Sequence, residues 1–596
     1  MHRTLLFLSR YNNHHTARRR RGALYTTSSS DASASASSSY IVVGNGPVGS
    51  SIAKHLVQLL ASANNNSKVV NTTTPKVTII DGKGVGIGSS HADRARLIRT
   101  FDAEGDDEWT KWNIRSLESF PDIEKMWSSS SLSLSLEEVP VNKNKSFFSK
   151  CGALLIGDEE FVKRSKNAAD KVMMMSSMSM SSAAGAEAAG KLQQCTVKKT
   201  PSSASSSTTT TLKPTPPIMM SSIECQKKWP FLKPKVGCDV ALFDSSGGII
   251  DPNAFIEAQN TITAAIAAVS ATGAGTGTGT GTGTSRNVTT IDDDDDDDDN
   301  DNNDHDHEAI VHNNVDFEII SDEVIKVGCN MVELASSSSR KILYADKVIV
   351  CGGAYTKPLL KNSGYCEKKS SSWKTIRSSK RTVALLEVSY DLVKGILKDM
   401  PSIKYAFDLN SNLNSNLNSN LNSNNEKMMA IRQQAAATTA AGEQNRVEAG
   451  SVYIIPPVWY PGERGGEKGK WFIKIGGGDN KWIDTKNEID NWLFNNKSDD
   501  EGGGGSSGDT ILSVSKLEDI LRSLMPDIQF DSVEIMACVT TVDSSQQSNG
   551  VVFDDDNIDD GIIAVSACQG KGAGPAEAVS KDIAYKIYHN QINDVK

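Results

Sequence analysis

Tyr40-IVVGNGPVGSSIAKHLVQL-Leu60 is the stretch whose reading decides the fold: a strand, a glycine-rich turn and an amphipathic helix in immediate succession. Ile41, Val42 and Val43 are β-branched and apolar, as a central strand of a parallel sheet requires. Gly44, Gly46 and Gly49 follow at G-x-G-x-x-G spacing. The first glycine allows the tight turn, the second lets backbone N–H groups approach a pyrophosphate, and the third lets the helix pack closely on the strand. Pro47 and Val48 stand at the helix N-terminus, which offers unpaired donors and a partial positive charge to an anion. A second apolar strand, Val77-TI-Ile80, ends in Asp81, placed to accept hydrogen bonds from a ribose. The interval from Gly49 exceeds the usual ~20 residues because the polar insert Ala63-NNNSKVVNTT-Thr74 intervenes. Strand, helix, strand and terminal acid in this order predict dinucleotide binding, with FAD and NAD both open; the bland alternative is a glycine-rich turn without a ligand.

Composition limits what the rest can be. Hydrophobic content is 38% and aromatic content 6% over 596 residues, both low for a globular enzyme, and tracts of Ser, Thr, Asn, Gly and Asp account for the deficit. The formal net charge is −10, of which the run Asp292 to Asp299 contributes eight negatives, so the remainder is close to neutral. No basic face for nucleic acid is indicated, and the Asp run reads as a solvated loop. Nine cysteines without a Cys-x-x-Cys pair support neither a disulfide framework nor a structural zinc site.

Residues 1–38 are different in kind. Arg3, Arg10 and Arg18 to Arg21 occur with no acid before Asp31, alongside Ser, Thr and His. That composition fits an organellar transit peptide, mitochondrial more than plastid, against a disordered basic tail in a cytoplasmic protein. No apolar run approaches ~18 residues, so no membrane span is expected.

Further along, Trp109, Trp112, Leu117 and Phe120 have helical spacing and the two tryptophans read as core. Cys151-GALL-Ile156 reads as a strand, Asp316-FEIISDEVIK-Val327 as one alternating strand, and Ala345-DKVIVCGGAY-Thr356 as a strand running into a cofactor-facing glycine turn. Val452-YIIPPVWYP-Gly462 and Lys470-WFIKIGGG-Asp479 read as antiparallel strands. Low-complexity insertions are expected at 173–215, 271–307 and 409–426. The expectation is an α/β fold. A discontinuous Rossmann-like domain with a doubly wound sheet would span 39–140, 240–362 and 530–596, and a second, α+β substrate domain on an antiparallel sheet would span 145–239 and 366–529.

Eight short motifs then stand in sequence: the fingerprint with Gly44, Gly46 and Gly49; Ser90-HADRARLI-Arg99; Lys-Trp-Pro at Trp229; Gly247-GIID-Pro252; Gly353-AY-Thr356; Ile473-KI-Gly476; Cys538-VTTV-Asp543; and Gly570-K-Gly572. Together they resemble the FAD-dependent amine oxidase family that includes monomeric sarcosine oxidase, N-methyltryptophan oxidase and pipecolate oxidase, from about Tyr40 to Ile587. The resemblance implies FAD rather than NAD. It places Lys474 at the flavin edge where oxygen reacts, and Ser90, His91 and Arg96 in a flavin-side loop. Arg99 becomes the partner of a substrate carboxylate, and Cys538 either a covalent flavin attachment or an ordinary buried cysteine. The chain departs from the pattern twice: an extra residue separates Asp93 from Arg96, and the family's carboxylate-binding lysine is replaced by Gly574, with Lys571 earlier in the same motif.

The activity implied is oxidation of a secondary or N-alkyl amine, an amino acid derivative, to an imine with oxygen reduced to hydrogen peroxide. One alternative is a dehydrogenase of the same fold that passes electrons to an electron-accepting flavoprotein. The other is a non-catalytic flavoprotein.

Overall fold

Side chains of a β-strand alternate between its two faces, and that alternation builds the two larger of the four sheets among the described residues. The computed structural model describes residues 38–64, 74–82, 93–130, 146–189, 214–234, 238–272, 315–335, 340–365, 375–406, 451–462, 469–495, 514–544, 552–554, 562–566 and 570–594. The basic leader, Ser90, His91, the Thr-Gly repeat, the Asp run and the Leu-Asn-Ser-Asn repeat lie outside these residues.

The first sheet has six strands in the order Val552–Asp554, Ile562–Ser566, Lys347–Val350, Ser39–Val43, Lys76–Ile80 and Asp316–Ile320. All neighbours are parallel except the first pair. Tyr40, Val42, Val77, Ile79, Ile349 and Ile563 pack with side chains of the helices Pro47–Asn64 and Ala576–Asp594. Ile41, Val43, Ile80, Val348, Val350 and Ile562 pack on the other face with a three-stranded meander, Val324–Gly328, Met331–Leu334 and Lys341–Tyr344. From the central Ser39–Val43 strand the chain winds outward to Lys76–Ile80 and later inserts Lys347–Val350 on the opposite side. Strand order therefore reverses beside the glycine fingerprint, the place where open α/β sheets bind ligands.

The second sheet has eight strands in the order Val533–Asp543, Ile376–Val388, Lys470–Trp482, Ser451–Tyr460, Ser402–Ala406, Ala153–Gly157, Val240–Asp244 and Ile218–Ser221. It is antiparallel except where Ser402–Ala406 runs parallel to Ala153–Gly157. Pro456 and Pro457 cannot donate to a ladder, and the register shifts between Ile455 and Val458 at that point. Leu154, Ile403, Ile454, Ile473 and Ile475 pack on one face with Leu517, Leu521 and Leu524 of the Val514–Leu524 helix. Alternation turns Leu155, Lys404, Tyr453 and Lys474 to the opposite face.

Three expectations need correction. Residues 173–189, assigned to a low-complexity insertion, continue the helix Glu159–Ala189. Met and Ala are good helix formers and no proline interrupts them, so low complexity here does not oppose a helix. The single strand expected over Asp316 to Val327 is two: Asp316–Ile320 joins the parallel sheet and Val324–Gly328 the meander. Val533–Asp543 and Val240–Asp244, both grouped by sequence with the Rossmann-like segments, belong to the eight-stranded sheet, where they pair with Ile376–Val388 and Ala153–Gly157. Strand propensity cannot choose a sheet, because pairing is non-local.

One buried charge pins the helices to each other. Glu577, 4% exposed, accepts from Lys54 Nζ at 2.5 Å, Ser51 Oγ at 2.7 Å and Gln259 Nε2 at 3.0 Å. It so joins the fingerprint helix, the C-terminal helix and the Pro252–Thr272 helix. Burial alone would raise the Glu577 pKa, but Lys54 and His55 outweigh it and hold the carboxyl well below the usual range. Glu577→Leu leaves the Lys54 ammonium uncompensated and is expected to cost about 3–5 kcal/mol. The double variant Lys54→Met/Glu577→Leu is expected to recover most of that loss in denaturant unfolding.

Candidate active site

The fingerprint turn is built from backbone demands. Gly44 has φ +106°, and a Cβ there would lie 2.6 Å from Cys351 O. At Gly49 a Cβ would run into the Gly44 carbonyl oxygen. Ser50 N–H closes the first helical hydrogen bond onto Gly46 O at 3.0 Å, so the N–H groups of Val48 and Gly49 ahead of it have no intrahelical acceptor. Pro47, which has no N–H to leave unpaired, is suited to that first position.

Other expected cofactor residues gather at the same carboxyl edge. Asp81 directly follows the Lys76–Ile80 strand, its N–H donating to Ile320 O at 2.9 Å. Gly353 has φ +55° and open space where a Cβ would stand. Its turn is braced by Ser378 Oγ on Ala354 O at 3.3 Å and by Tyr355 Oη on Asp490 at 2.7 Å. Gly570, with φ +75°, and Gly572 follow the Ile562–Ser566 strand. The buried hydroxyls of Thr356 and Ser566, at the ends of these segments, have no hydrogen-bond partner among the described residues. Unpaired N–H groups, an acid, an exposed backbone and unsatisfied hydroxyls along one crevice fit a dinucleotide such as FAD.

A second centre lies on the inner face of the eight-stranded sheet. Asp93, 2% exposed, accepts from the Lys474 ammonium, the Arg96 guanidinium and the Tyr460 hydroxyl. Lys474, 1% exposed, and Arg96 both also donate to Ala95 O at 3.0 Å. Burial pulls the Lys474 pKa down to about 8, with Arg96 adding to the effect and Asp93 opposing it. Burial would raise the Asp93 pKa, but Lys474 and Arg96 outweigh it and keep the carboxyl ionised.

Around this cluster, Tyr453 lies across Gly476, where a Cβ would come within 2.5 Å of the ring carbon Cζ, and the ring centroid is 5.4 Å from Lys474 Nζ. Cys538, 7% exposed, stands in register with Arg381. Its carbonyl accepts from Trp492 Nε1 at 2.9 Å, and the Cys538 side chain lies within the electrostatic reach of Arg96, Lys474 and Tyr453. The structure thus brings Lys474, Arg96 and Cys538 together. Arg99 is buried further along the same segment, over Phe101. Asp93, Tyr453, Tyr460 and Arg381 were not singled out by sequence. The signal that would have found Tyr453 is the one that marked Lys474: a polar side chain at the off-phase position of an apolar strand. Of the two expected core tryptophans, Trp109 is fully buried, whereas Trp112 is partly exposed and donates to Asp582 at 3.1 Å.

These features define an α/β protein with a glycine-rich turn at the carboxyl edge of a parallel sheet and a buried ion cluster on one face of a mixed sheet. No protein-family model and no curated protein matches the chain. Solved structures similar to it include L-proline dehydrogenase from P. horikoshii, at 12% identity and TM-score 0.48, covering 93% of this chain and 94% of that one. NikD, described as an unusual amino acid oxidase essential for nikkomycin biosynthesis, is similar at 11% identity and TM-score 0.47, with 92% and 94% covered. Glycine oxidase from Bacillus cereus is similar at 11% identity and TM-score 0.44, with 93% and 95% covered. Among the described residues no helix is long and apolar enough to cross a membrane, and no group of three or more His, Cys, Asp or Glu is placed to hold a metal ion.

Two glycine substitutions separate fold from ligand. Gly49→Ala is expected to lower stability sharply, because its methyl would meet backbone. Gly353→Ala meets nothing, so it is expected to cost only the ~1–2 kcal/mol of a left-handed non-glycine residue. If a ligand approaches the Gly353 backbone, Gly353→Ala will lower the retained flavin per protein, read by absorbance, while the circular dichroism spectrum stays native.

Proposed function

We propose that the chain is an FAD-dependent oxidoreductase that oxidises a secondary or N-alkyl amine, an amino acid derivative of sarcosine or pipecolate type, to an imine, with oxygen reduced to hydrogen peroxide. The observation that carries the reading is Lys474, an ammonium held dry and fixed by Asp93 on the sheet face that also presents Tyr453 and Cys538. In the proposal the N–H groups of Val48 and Gly49 bind the pyrophosphate and Asp81 holds the ribose. FAD, when bound, supplies the redox chemistry by taking an electron pair from the amine and returning it to oxygen.

The protein's own residues then provide electrostatics and position. A preorganised cation in a low-dielectric site stabilises negative charge that develops beside it, without reorganising at the moment of reaction. Lys474 has that form, and Asp93 and Ala95 O fix its direction. Its charge state follows from its pKa of about 8: the ammonium is present below that pH and is lost above it. Cys538, buried on the same sheet face as Lys474, is the candidate for covalent flavin attachment.

A second reading is electron transfer to an electron-accepting flavoprotein, which a mitochondrial location would suit. A mitochondrial location is part of the proposal, tested by fusing residues 1–38 to a fluorescent reporter.

Anaerobic mixing with a panel of secondary amines is expected to bleach the flavin absorbance, and readmitted air to release one peroxide per amine consumed. Bleaching without peroxide, with turnover restored by an artificial acceptor, selects the dehydrogenase. Lys474→Met is expected to slow reoxidation by roughly 100-fold or more, and reoxidation of the native protein is expected to fall as pH rises through about 8. An acid-precipitated pellet that stays yellow in the native protein and is colourless in Cys538→Ala would establish the covalent link.

A further inference from the structure

Both oxygens of the Asp93 carboxylate are engaged. Oδ2 accepts from the Lys474 ammonium and the Arg96 guanidinium; Oδ1 accepts from the Tyr460 hydroxyl and from the Arg94 N–H, the last at 2.7 Å. The ammonium, the guanidinium and the backbone N–H have no acceptor to offer, so the arrangement is made for an ionised carboxylate. Tyr460, 4% exposed, is itself held edge-on to Phe472, with ring centroids 5.6 Å apart.

Two cations meet on this one carboxylate. Lys474 and Arg96 share Oδ2, and both donate to Ala95 O at 3.0 Å, so ammonium and guanidinium are held side by side by the same two acceptors. Like charges in such a site repel, and of the two only a lysine can yield by shedding its proton. Arg94 and Ala95 separate Asp93 from Arg96, one residue more than in the motif the segment resembles. That spacing returns the carboxylate to Arg96 and turns Ala95 O to Lys474.

The other ionisable groups about Lys474 come from the neighbouring strands. Tyr453, its ring centroid 5.4 Å from Lys474 Nζ, and Tyr460 belong to Ser451–Tyr460. Cys538 lies on Val533–Asp543, in register with Arg381 of Ile376–Val388. Asp93 is the one carboxylate in that set.

We propose that Asp93 is a positioning residue of the candidate site: through Oδ2 it fixes the Lys474 ammonium beside Arg96 and keeps it charged, and Tyr460 in turn fixes Asp93. The inference deepens the reading of Lys474 as the cation that stabilises developing negative charge, and it rests on that reading for its effect on oxygen. Burial and Arg96 pull the Lys474 pKa down to about 8, and Asp93 opposes them. Without Asp93 the ammonium is therefore lost at a lower pH.

Denaturant unfolding of the full-length holoprotein as a function of pH reads that charge without any amine turnover. Lys474 gives up its proton earlier in the native fold than in the unfolded chain. From about 8 up to the ordinary lysine range the unfolded chain thus binds more protons, and stability rises with pH. The part of the rise that Lys474→Met abolishes is expected to begin at about 8 in the native protein. In an Asp93→Asn background its onset is expected roughly one pH unit or more lower. Reoxidation of photoreduced holoprotein by oxygen, a reaction with no amine in it, is expected to fall over the same displaced range. Asp93→Glu keeps the charge and moves it by a methylene, so it is expected to slow reoxidation while holding the native midpoint. An onset unmoved in Asp93→Asn, with stability lowered equally at every pH, overturns the proposal and makes Asp93 a packing group. If Asp93→Asn does not fold, Asp93→Glu and Tyr460→Phe decide: slower reoxidation at the native midpoint supports the proposal, and native rates in both overturn it. A displaced onset in a holoprotein that does not react with oxygen supports the action of Asp93 on Lys474 and overturns the oxidase reading alone.

Discussion

A carboxylate shut away from water has to be matched by cations in fixed positions, and Asp93 sets that requirement for the whole candidate site. It is met by Lys474 from the eight-stranded sheet, by Arg96 three residues along its own segment, and by the Tyr460 hydroxyl. Removing Asp93 would leave the buried Lys474 and Arg96 cations without their shared counter-charge, a penalty of about 3–5 kcal/mol for such pairs. The segment that follows the first βαβ unit is thereby tied to the inner face of the sheet. Arg96, Tyr453 and Cys538 take their places relative to Lys474 as a consequence.

The same physical device recurs at Glu577, where Lys54, Ser51 and Gln259 converge from separate helices. One ion pair locks the helices that carry and cover the glycine fingerprint; the other ties the segment at 93–96 to the strand Lys470–Trp482. Each carboxylate has its hydrogen-bond donors supplied from separate segments, which favours one arrangement over its alternatives.

Much of the framework was legible in the residues themselves. Ile41 to Val43 and Val77 to Ile80 announced central strands, and the glycine spacing announced the turn, because strand propensity and positive φ are local properties. Lys474 was legible as well, since a lysine between Ile473 and Ile475 must face away from the core that those isoleucines fill. Composition misled where it was used as a surrogate for structure: the Met- and Ser-rich residues 173–189 are helical because their helix propensity is adequate. Propensity likewise could not show that Asp316 to Val327 divides between two sheets, since which sheet a strand joins is set by non-local pairing.

By itself the sequence determined the local alphabet of this protein: where strands and helices form, which face of each is apolar, and where only glycine can stand. Tertiary structure alone decided which charges meet. Asp93 and Lys474 are 381 residues apart in the chain, Lys54 and Glu577 523, and no periodicity or spacing connects positions that far separated. Tertiary structure also placed Val533–Asp543, and with it Cys538, in the mixed sheet beside Arg381, and occupied Lys571 with Asp102 and Glu104. The reason is physical: a buried ion pair is stabilised by the dielectric and geometry of its surroundings, and those exist only once distant segments have packed.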